Sequence, residues 1–374
     1  MRDIDYWIWL SSLGGLGPVK AVKLLGIYIE PRIIFELGES ELKQSRLLTP
    51  KNISELLDQE KRRKVEEINQ LMIKNDIKMV SILDSNYPEQ LKQIYDPPVA
   101  LYYKGELKVT EFSIAVVGSR RTTSYGSIIA KRLAYDLALR GVQIISGLAR
   151  GIDSIAHEGC LDAGGRTIAV LGCGPDYIYP PENVRLYESI LKSGGLILSE
   201  YPPGTPPLQY NFPARNRIIS GLSSGVLVVE AAKRSGSLIT AGFALEQGRE
   251  VFAVPGNIDC AYSRGTNQLI QDGAKMVLRV EDILEEFDYQ EKKVRTKETR
   301  EGKREDFYSD NKVYRGLSTD EIRVVKIIQK GIHQVDEITE KSNIPVREIN
   351  NILFMLEMKG VIQQAPGKQY QMCF

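Results

Sequence analysis

The stretch SIAVVG at residues 113–118 is a short apolar run that ends in glycine, and it decides the fold because the same unit recurs along the chain. The further runs are VQIISG at 142–147, RTIAVLG at 166–172, LILSEY at 196–201, GVLVVEA at 225–231 and VFAVPG at 251–256. A Gly/Ser-rich turn and an amphipathic helical pattern follow each unit. Continuous apolar runs that alternate with helices are typical of a parallel sheet covered on both faces.

Beyond these runs, the hydrophobic periodicity and charge along the chain predict four segments. Residues 1–80 alternate helical patterns with turns and indicate a small all-α module, and residues 81–288 hold the extended Rossmann-like α/β sheet. Residues 289–312 include EKKVRTKETREGKREDFYSDNK, whose mixed charge and few large apolar groups predict a flexible linker. Residues 313–374 return to three helical patterns and an alternating tail, which together predict a winged-helix domain.

Composition limits the classes of protein that the chain can belong to. Its 374 residues carry a net charge of +1, so any site for a polyanion must be a local patch. Four cysteines without a CxxC pair argue against a zinc site or a disulfide framework. The chain has neither a signal-peptide pattern at its start nor an apolar stretch of about 20 residues. We therefore expect a cytoplasmic protein without metal.

The residues directly after three of the runs are glycines, hydroxyls and cations. They are Gly118, Ser119, Arg120 and Arg121 after the first run, Ser146, Gly147, Arg150 and Gly151 after the second, and Lys233, Arg234, Ser235, Gly236 and Ser237 after GVLVVEA. Ligands of open parallel sheets bind beyond the carboxyl ends of the strands. Free N–H groups and the helix dipole favour phosphate there. Strand-to-helix turns also need glycine and Ser/Thr caps for structural reasons, so each single loop allows both interpretations.

The string FPARNR at 212–217 lies upstream of GVLVVEA, and we expect it on the rim beside the third loop. Arg215 and Arg217 can hold phosphates in a bidentate manner or stack on bases, and Asn216 can fix the loop or contact a base. Glu200 and Glu230 end strands, where they can act as general bases or orient these arginines.

Signals for catalysis and for a cofactor are weak. No turn reads GxGxxG or GxxxxGK[ST], so we expect no nucleotide cofactor. An extended polyphosphate fits several separate loops better than a compact nucleotide does. His157 follows Ser154 and Asp153 at a spacing unlike that of a catalytic triad, and we interpret it as a packed residue. His333 is interpreted as structural.

Several motifs together resemble the DNA-processing protein A family (DprA/Smf). They include VVGSRRTTSYG at 116–126, SGLARGIDSIAHEG at 146–159, FPARNRIISGLS at 212–223 and SGSLITAGFALEQGREVFAVPG at 235–256. The resemblance covers the whole middle domain in order, and longer members of the family also carry a helical N-terminal module and a winged-helix end.

The resemblance implies a protein of bacterial natural transformation that is not an enzyme. Members bind incoming single-stranded DNA, displace single-strand-binding protein and load the RecA recombinase. The family's phosphate- and base-contacting positions fall on the GSRR turn, the loop after IISG, the RNR segment and the SGS turn. By this resemblance, Arg215 and Arg217 are clamps on a DNA backbone.

Other interpretations remain open. One is a nucleotide-processing enzyme of the phosphoribohydrolase type, although the chain lacks the PGGxGTxxE pattern of such enzymes. Another is a regulator that reads duplex DNA through the last domain, whose helix VREINNILFMLEMKG sets Glu348 and Glu357 against Arg347 and Lys359. That balance favours protein contact or autoregulation over a phosphate backbone. The Gly14–Gly17 turn is either a phosphate-binding hairpin or a plain helical turn.

A homodimer is predicted around NQLIQDGAKMVL at 267–278. KMVL is the last short strand, and a strand at the edge of a sheet leaves N–H and C=O groups that must be covered or used. Leu269, Ile270 and Met276 are the apolar residues beside this edge; some of them must pack on the sheet, and we expect the remainder at a twofold contact.

Overall fold

A computed structural model of the protein describes residues 1–287, 289, 317–329, 331–342, 344–359, 361–365 and 369–372. These residues form two compact units, one within residues 1–294 and one within residues 295–374. Residues 291–312, predicted to be a charged linker, lie outside the described residues. The division into four segments therefore stays a prediction.

The first unit begins with short helices around their own apolar core. These helices are α1 Asp3–Ser12, α2 Pro18–Tyr28, α3 Pro31–Glu36, α4 Glu39–Gln44, α5 Pro50–Leu56 and α6 Gln59–Lys74. Trp9 is fully buried at the centre of this core, between apolar residues of the surrounding helices. The helices have the all-α character that the sequence predicts for this region.

A nine-stranded sheet forms the body of the first unit. Its strands are β1 Lys78–Ser81, β2 Ala100–Gly105, β3 Ser113–Val117, β4 Gln143–Ser146, β5 Thr167–Val170, β6 Leu196–Ser199, β7 Gly225–Val228, β8 Glu250–Ala253 and β9 Lys275–Met276. The order across the sheet is β1-β2-β6-β5-β4-β3-β7-β8-β9. Strands β3 to β9 pair in parallel, and the six predicted apolar runs supply β3 to β8. The predicted parallel α/β sheet is confirmed.

Helices cover both faces of this sheet. They are α7 Glu89–Lys92, α8 Ser124–Leu139, α9 Ile152–Asp162, α10 Val184–Lys192, α11 Asn211–Gly221, α12 Gly236–Glu246, α13 Arg264–Gln271 and α14 Glu281–Leu284. Side chains of a strand alternate between its two faces. Ala115 and Val117 of β3 accordingly share a core with α11 and α12, whereas Ile114 and Val116 pack with α8 and α9.

Strand β2 joins the helical module to the sheet, and the sequence analysis did not identify it. It pairs antiparallel with both β1 and β6. Leu101 and Tyr103 face the sheet core, whereas Tyr102 is buried in the core of the N-terminal helices and its hydroxyl lies 2.7 Å from Ser11 Oγ. The apolar stretch VALYY at 99–103 was the available signal.

The second unit has its own core and the predicted winged-helix elements. They are α15 Thr319–Gln329, α16 Val335–Ser342, α17 Val346–Met358, and the hairpin β10 Ile362–Ala365 with β11 Gln369–Met372. Val324, Ile338 and Leu353, one from each helix, are fully buried together. His333 Nδ1 lies 2.8 Å from the carbonyl oxygen of Tyr370, so this histidine is structural as predicted.

Candidate nucleic-acid interface

The strand order brings the three predicted loops together. From β3 the chain adds β4, β5 and β6 on one side, and it later returns to add β7, β8 and β9 on the other side. Such a reversal opens a crevice at the carboxyl ends of the strands, where ligands of open α/β sheets bind. The loops after β4, β3 and β7 flank this reversal because the three strands are neighbours.

Glu230 holds the GSRR turn that follows β3. Ser119 donates its N–H to the Glu230 carbonyl at 2.8 Å, and the Glu230 carboxylate accepts the N–H of Thr123, the N-cap of α8, at 3.0 Å. A buried carboxylate of the protein therefore occupies the N-terminus of α8. Glu230 holds a turn rather than an arginine, and the exposed side chains of Arg120 and Arg121 are what the turn presents to solvent.

The loop after β4 is tightly packed. Gly151 has a φ of 79°, and a Cβ there would lie 2.3 Å from the Ser119 carbonyl oxygen, so this position requires glycine. Ser146 is fully buried and donates its hydroxyl to the carbonyl of Val116 at 2.6 Å. β3 thus uses this hydroxyl, and the contact of Ser146 with a ligand stays a prediction. Arg150 is exposed and donates from Nη2 to Glu182 at 3.1 Å.

Arg215 lies inside the protein rather than on the rim. It is only 3% exposed, because FPARNR belongs to α11 and the Arg215 side chain faces the sheet with Ile218, Ile219 and Leu222. Its Nη1 donates to the carbonyl of Gly147 at 2.8 Å and also to that of Val170, which joins the ends of β4 and β5. The predicted rim position is therefore wrong.

Asp153 lies beside the buried Arg215 guanidinium. A Cβ on Gly147 would meet Arg215 Nη2 at 2.6 Å and Asp153 Oδ2 at 2.7 Å, so both groups line the underside of this loop. Asp153 Oδ2 accepts the N–H of Gly147 at 3.2 Å. Burial raises the pKa of Asp153 to about 6, against the opposing effect of Arg215. Burial also lowers the pKa of Arg215.

Arg217 is buried as well and is paired with two carboxylates. It is 4% exposed, donates to both oxygens of Glu200 at 2.9 and 2.7 Å, and donates from Nε to Asp96 at 2.8 Å. Burial disfavours the charged form, but the two carboxylates outweigh it and raise the pKa of Arg217. The alternative in which Glu200 orients an arginine is confirmed, whereas the rim position of Arg217 is wrong.

Asn216 faces the other way and ties α11 to the third loop. Its Nδ2 donates to the carbonyl of Gly236 at 3.3 Å, and its Oδ1 accepts from Arg215 Nε at 3.3 Å. FPARNR therefore lies beside the SGS turn, as predicted, through its asparagine rather than its arginines. Of the two roles expected for Asn216, these contacts match that of fixing the loop.

The third loop is the most open of the three. Lys233, Arg234 and Gly236 are exposed, and a Cβ on Gly236 would meet nothing within 4 Å. Ser235 caps α12 and accepts the N–H of Ser237 at 3.4 Å. Ser237 is buried behind this cap. An open helix N-terminus with two adjacent cations is a favourable position for a phosphate.

Aromatic side chains that the sequence analysis did not single out adjoin these loops. The guanidinium carbon of Arg120 lies 5.6 Å from the centre of the Phe212 ring, and that ring lies 5.3 Å from the ring of Tyr179. Tyr210, two residues before Phe212, is exposed. An aromatic residue next to the cationic string FPARNR was the signal that could have identified them.

The remaining predicted features have structural roles. His157 is fully buried with Nδ1 2.7 Å from Thr167 Oγ1, and burial lowers its pKa to about 3, so it is a packed residue as expected. In the Gly14–Gly17 turn, the N–H of Gly15 donates to Glu55 at 3.1 Å, which matches the plain helical turn. Within the described part of the chain, no group of three or more metal-ligating side chains occurs and no helix is long and apolar enough to cross a membrane.

The predicted dimer surface lies at the β9 edge of the sheet, opposite to the β1 edge. β9 is the edge strand, as predicted, and pairs only with β8 among the described strands. Met276 is exposed on it, Ile270 is half-buried, and Leu269 is half-buried against the sheet core. The twofold contact itself stays a prediction.

Comparison with known sequences identifies relatives along the whole chain. Residues 78–288 match the family described as DNA recombination-mediator protein A, and residues 312–368 match the DprA winged helix domain. Protein Smf of Escherichia coli is 45% identical over 282 residues, which are 75% of this chain and 74% of that protein. Protein Smf of Synechocystis is 33% identical over 98% of both chains.

Similar solved structures include two of DNA processing protein A. The X-ray structure of DNA processing protein A from Streptococcus pneumoniae has a TM-score of 0.67 and 40% identity, and the match covers 78% of this chain and 100% of that one. DNA processing protein A from Helicobacter pylori, a structure concerned with a single-stranded DNA binding mode, has a TM-score of 0.52 and 33% identity, with 57% and 97% of the two chains covered.

Proposed function

The chain belongs to the DNA recombination-mediator protein A family, so its role is in DNA processing, and we propose that it binds single-stranded DNA along the carboxyl edge of its sheet. The observation that carries the proposal is the convergence of three loops at the strand-order reversal. The loops after β3 and β7 present Arg120, Arg121, Lys233 and Arg234 to solvent. A row of exposed cations suits the repeated phosphates of a strand better than it suits one compact ligand.

The N-terminus of α12 is the proposed phosphate-binding centre. Gly236 leaves the backbone open to a close approach, and Lys233 and Arg234 add charge beside it. The helix dipole and the N–H groups of the first turn favour an anion at this position. The N-terminus of α8 differs, because Glu230 already provides a carboxylate there. We therefore assign phosphate contacts after β3 to the arginine side chains of the turn.

Base contacts are assigned to the aromatic residues beside the cations. Bases of a single strand are exposed and stack on aromatic side chains without sequence preference. Tyr210 is exposed, and Phe212 lies below Arg120 near the same loops. This neighbourhood favours single strands over duplex, whose bases are stacked inside the helix.

Arg215 and Arg217 are proposed to act through the loops rather than on the strand. Arg215 supports Gly147 and, through Asn216, the turn at Gly236. Arg217 holds α11 to Glu200 and Asp96. Both are positioning residues, and the same holds for the buried Ser146 and Ser237.

A binding role is favoured over the phosphoribohydrolase alternative. Such an enzyme needs a glutamate free to act on the ligand. Glu230 is buried and holds Thr123, and Glu200 is committed to Arg217. We therefore propose that the protein is not an enzyme and that its action is to hold a strand.

The family membership motivates the partners that we propose. The protein would displace single-strand-binding protein from incoming DNA in the cytoplasm and load RecA during natural transformation. A homodimer through Leu269, Ile270 and Met276 at the β9 edge would place two DNA sites on one particle and raise the avidity for a long strand.

Fluorescence anisotropy with labelled oligo-dT, duplex of equal length and free nucleotides tests this function. We expect single strands to bind well over tenfold tighter than duplex. The slope of log affinity against log salt should be about −3 if four phosphates are neutralised. Equal affinity for duplex, tighter binding of a nucleotide, or a flat salt response would reject the proposal.

A further inference from the structure

Helix α17 of the winged-helix unit presents an apolar face to solvent. Phe354 is 60% exposed, Met355 47% and Met358 71%. The opposite face, with Ile349, Leu353 and Leu356, is buried in the core of the unit. Three large apolar side chains on the outside of one helix of 13 residues form a patch of the kind that marks a contact surface.

This face occupies the position at which winged-helix proteins read duplex DNA. A recognition helix enters the major groove with cationic and polar side chains toward the phosphates and bases. Between Asn350 and Met358, the exposed residues of α17 are instead asparagine, phenylalanine and methionine. Methionine-rich apolar surfaces are typical of protein contacts. The chemistry of the face therefore points to a protein.

The spacing of these residues matches a seam between two packed helices. Asn351, Phe354 and Met358 follow one another at intervals of three and four residues, which is the seam pattern of paired helices. A single asparagine in such a seam sets the register and the number of helices. The seam lies on the exposed side of α17, away from the core of its own unit.

The charges beside the seam make the face complementary to itself. Each helical residue advances by about 100° and 1.5 Å. Glu348 and Lys359, both exposed, therefore lie on the same flank of the seam, about 16 Å apart along the helix. A twofold axis across an antiparallel pair brings Glu348 of each copy to Lys359 of the other. Lys359 already contacts Glu321 at 2.7 and 2.8 Å, and an ammonium with three donors can serve two carboxylates.

We propose that α17 packs antiparallel against α17 of a second copy of this chain. The contact is distinct from the surface at β9 and does not depend on DNA binding. One helix face is smaller than the roughly 1,200 Å² of a stable interface, so the contact is weak on its own. It strengthens where two chains are already close, because the second contact then forms at a high effective concentration.

Zero-length carbodiimide cross-linking of the full chain tests this packing. The reagent joins a carboxylate to an amine in direct contact, and the Glu321–Lys359 pair is an internal positive control. A Glu348–Lys359 link cannot form within one chain, because the two residues are about 16 Å apart on the same helix. In an equal mixture of isotope-labelled and unlabelled protein, we expect a Glu348–Lys359 peptide with one labelled and one unlabelled partner.

Phe354→Glu provides the matched variant, because it sets two like charges against each other at the twofold contact. We expect it to lower the mixed-isotope link at least about tenfold and to leave the Glu321–Lys359 link unchanged. Ile73→Glu, which changes an exposed residue of the N-terminal module, should leave both links unchanged. Absence of the mixed link, or its persistence in Phe354→Glu, overturns the proposal. So does a loss of duplex affinity in Phe354→Glu without any mixed link, because the face would then bind DNA.

Discussion

Arg215 and Arg217 are two residues apart in one helix, yet the protein neutralises them in different ways. Arg217 has two carboxylates, Glu200 and Asp96, as direct partners. Arg215 donates to the carbonyl groups of Gly147 and Val170 and lies near the buried Asp153. Buried charges need such partners, because an unpaired charge is far more costly inside a protein than in water. Arg215 therefore supports the loop after β4, and Arg217 holds α11 in place.

Arg217→Ala is expected to lower the free energy of unfolding by about 3 kcal/mol, because it leaves the carboxylates of Glu200 and Asp96 without their counter-ion. Chemical denaturation measures the change. The control is Arg32→Ala, which removes an exposed pair with Glu36 and should change stability much less than Arg217→Ala does. If the two variants are equally stable, Arg217 does not hold α11.

The contribution of Asp153 to the free energy of unfolding depends on pH and decreases as the pH rises. Burial raises its pKa to about 6, above the roughly 3.9 of an unfolded aspartate, so the folded protein binds the proton more tightly. The contribution of Asp153 is complete below about pH 4 and is lost as the pH rises through about 6. The stability advantage of the natural protein over Asp153→Asn should therefore shrink between pH 4.5 and 7.5. An advantage that grows with pH would show that Asp153 is a normal ion-pair partner.

Among the elements, the N-termini of α8 and α12 are alike in sequence and differ in the groups that surround them. Both begin after a glycine- and serine-containing turn with two adjacent cations. Thr123 at the start of α8 receives the carboxylate of Glu230, whereas the first turn of α12 is open at Gly236. Tertiary packing, rather than local sequence, decides which of the two can receive a phosphate.

The elements also show what the sequence could predict. The run SIAVVG specifies β3 because every residue of 113–117 is buried, and a strand with two buried faces must be apolar throughout. Predicting the position of FPARNR required the helical spacing of the residues around it instead of a continuous apolar run. Arg215, Ile218, Ile219 and Leu222 lie at helical spacing, so the arginine occupies an inward position of α11. Its charge suggested the surface, and its partner Gly147 is distant in sequence.

The β9 edge and α13 carry the prediction for the dimer. Ile270→Glu should convert the protein from a dimer to a monomer at micromolar concentration, because it places a charge in an apolar twofold contact. Sedimentation across a dilution series measures the mass. Leu83→Glu, an exposed change near β1 at the opposite edge of the sheet, is the control. A natural protein that is monomeric, or a dimer insensitive to Ile270→Glu, would exclude this surface.

The described residues form two units with separate cores. The chain has a net charge of only +1, so affinity for DNA requires a local patch of cations, and we propose the carboxyl edge of the sheet as that patch. The winged-helix unit has an apolar outer face on α17 instead of a cationic one. We therefore propose that the first unit carries the DNA site and that the second carries a contact with protein.

Deletion of residues 313–374 should leave single-strand affinity within about tenfold of that of the full chain, or about 1.4 kcal/mol. The sheet and its loops belong to the first unit, whose core contains no residue of the second among those described. Anisotropy with oligo-dT measures the affinity. A larger loss would show that the winged-helix unit is a principal DNA surface.

We propose that exposed cations at the open N-terminus of α12 hold the strand, and a pair of double variants tests this role. Lys233→Ala with Arg234→Ala should weaken binding of oligo-dT by about 2 kcal/mol, reduce the salt slope by about 1.4, and leave the unfolding free energy unchanged. Arg63→Ala with Lys64→Ala changes an exposed Arg/Lys pair on α6. This double variant should change neither the affinity for oligo-dT nor the salt slope. Equal affinity losses in the two double variants, or none in the first, would contradict the account.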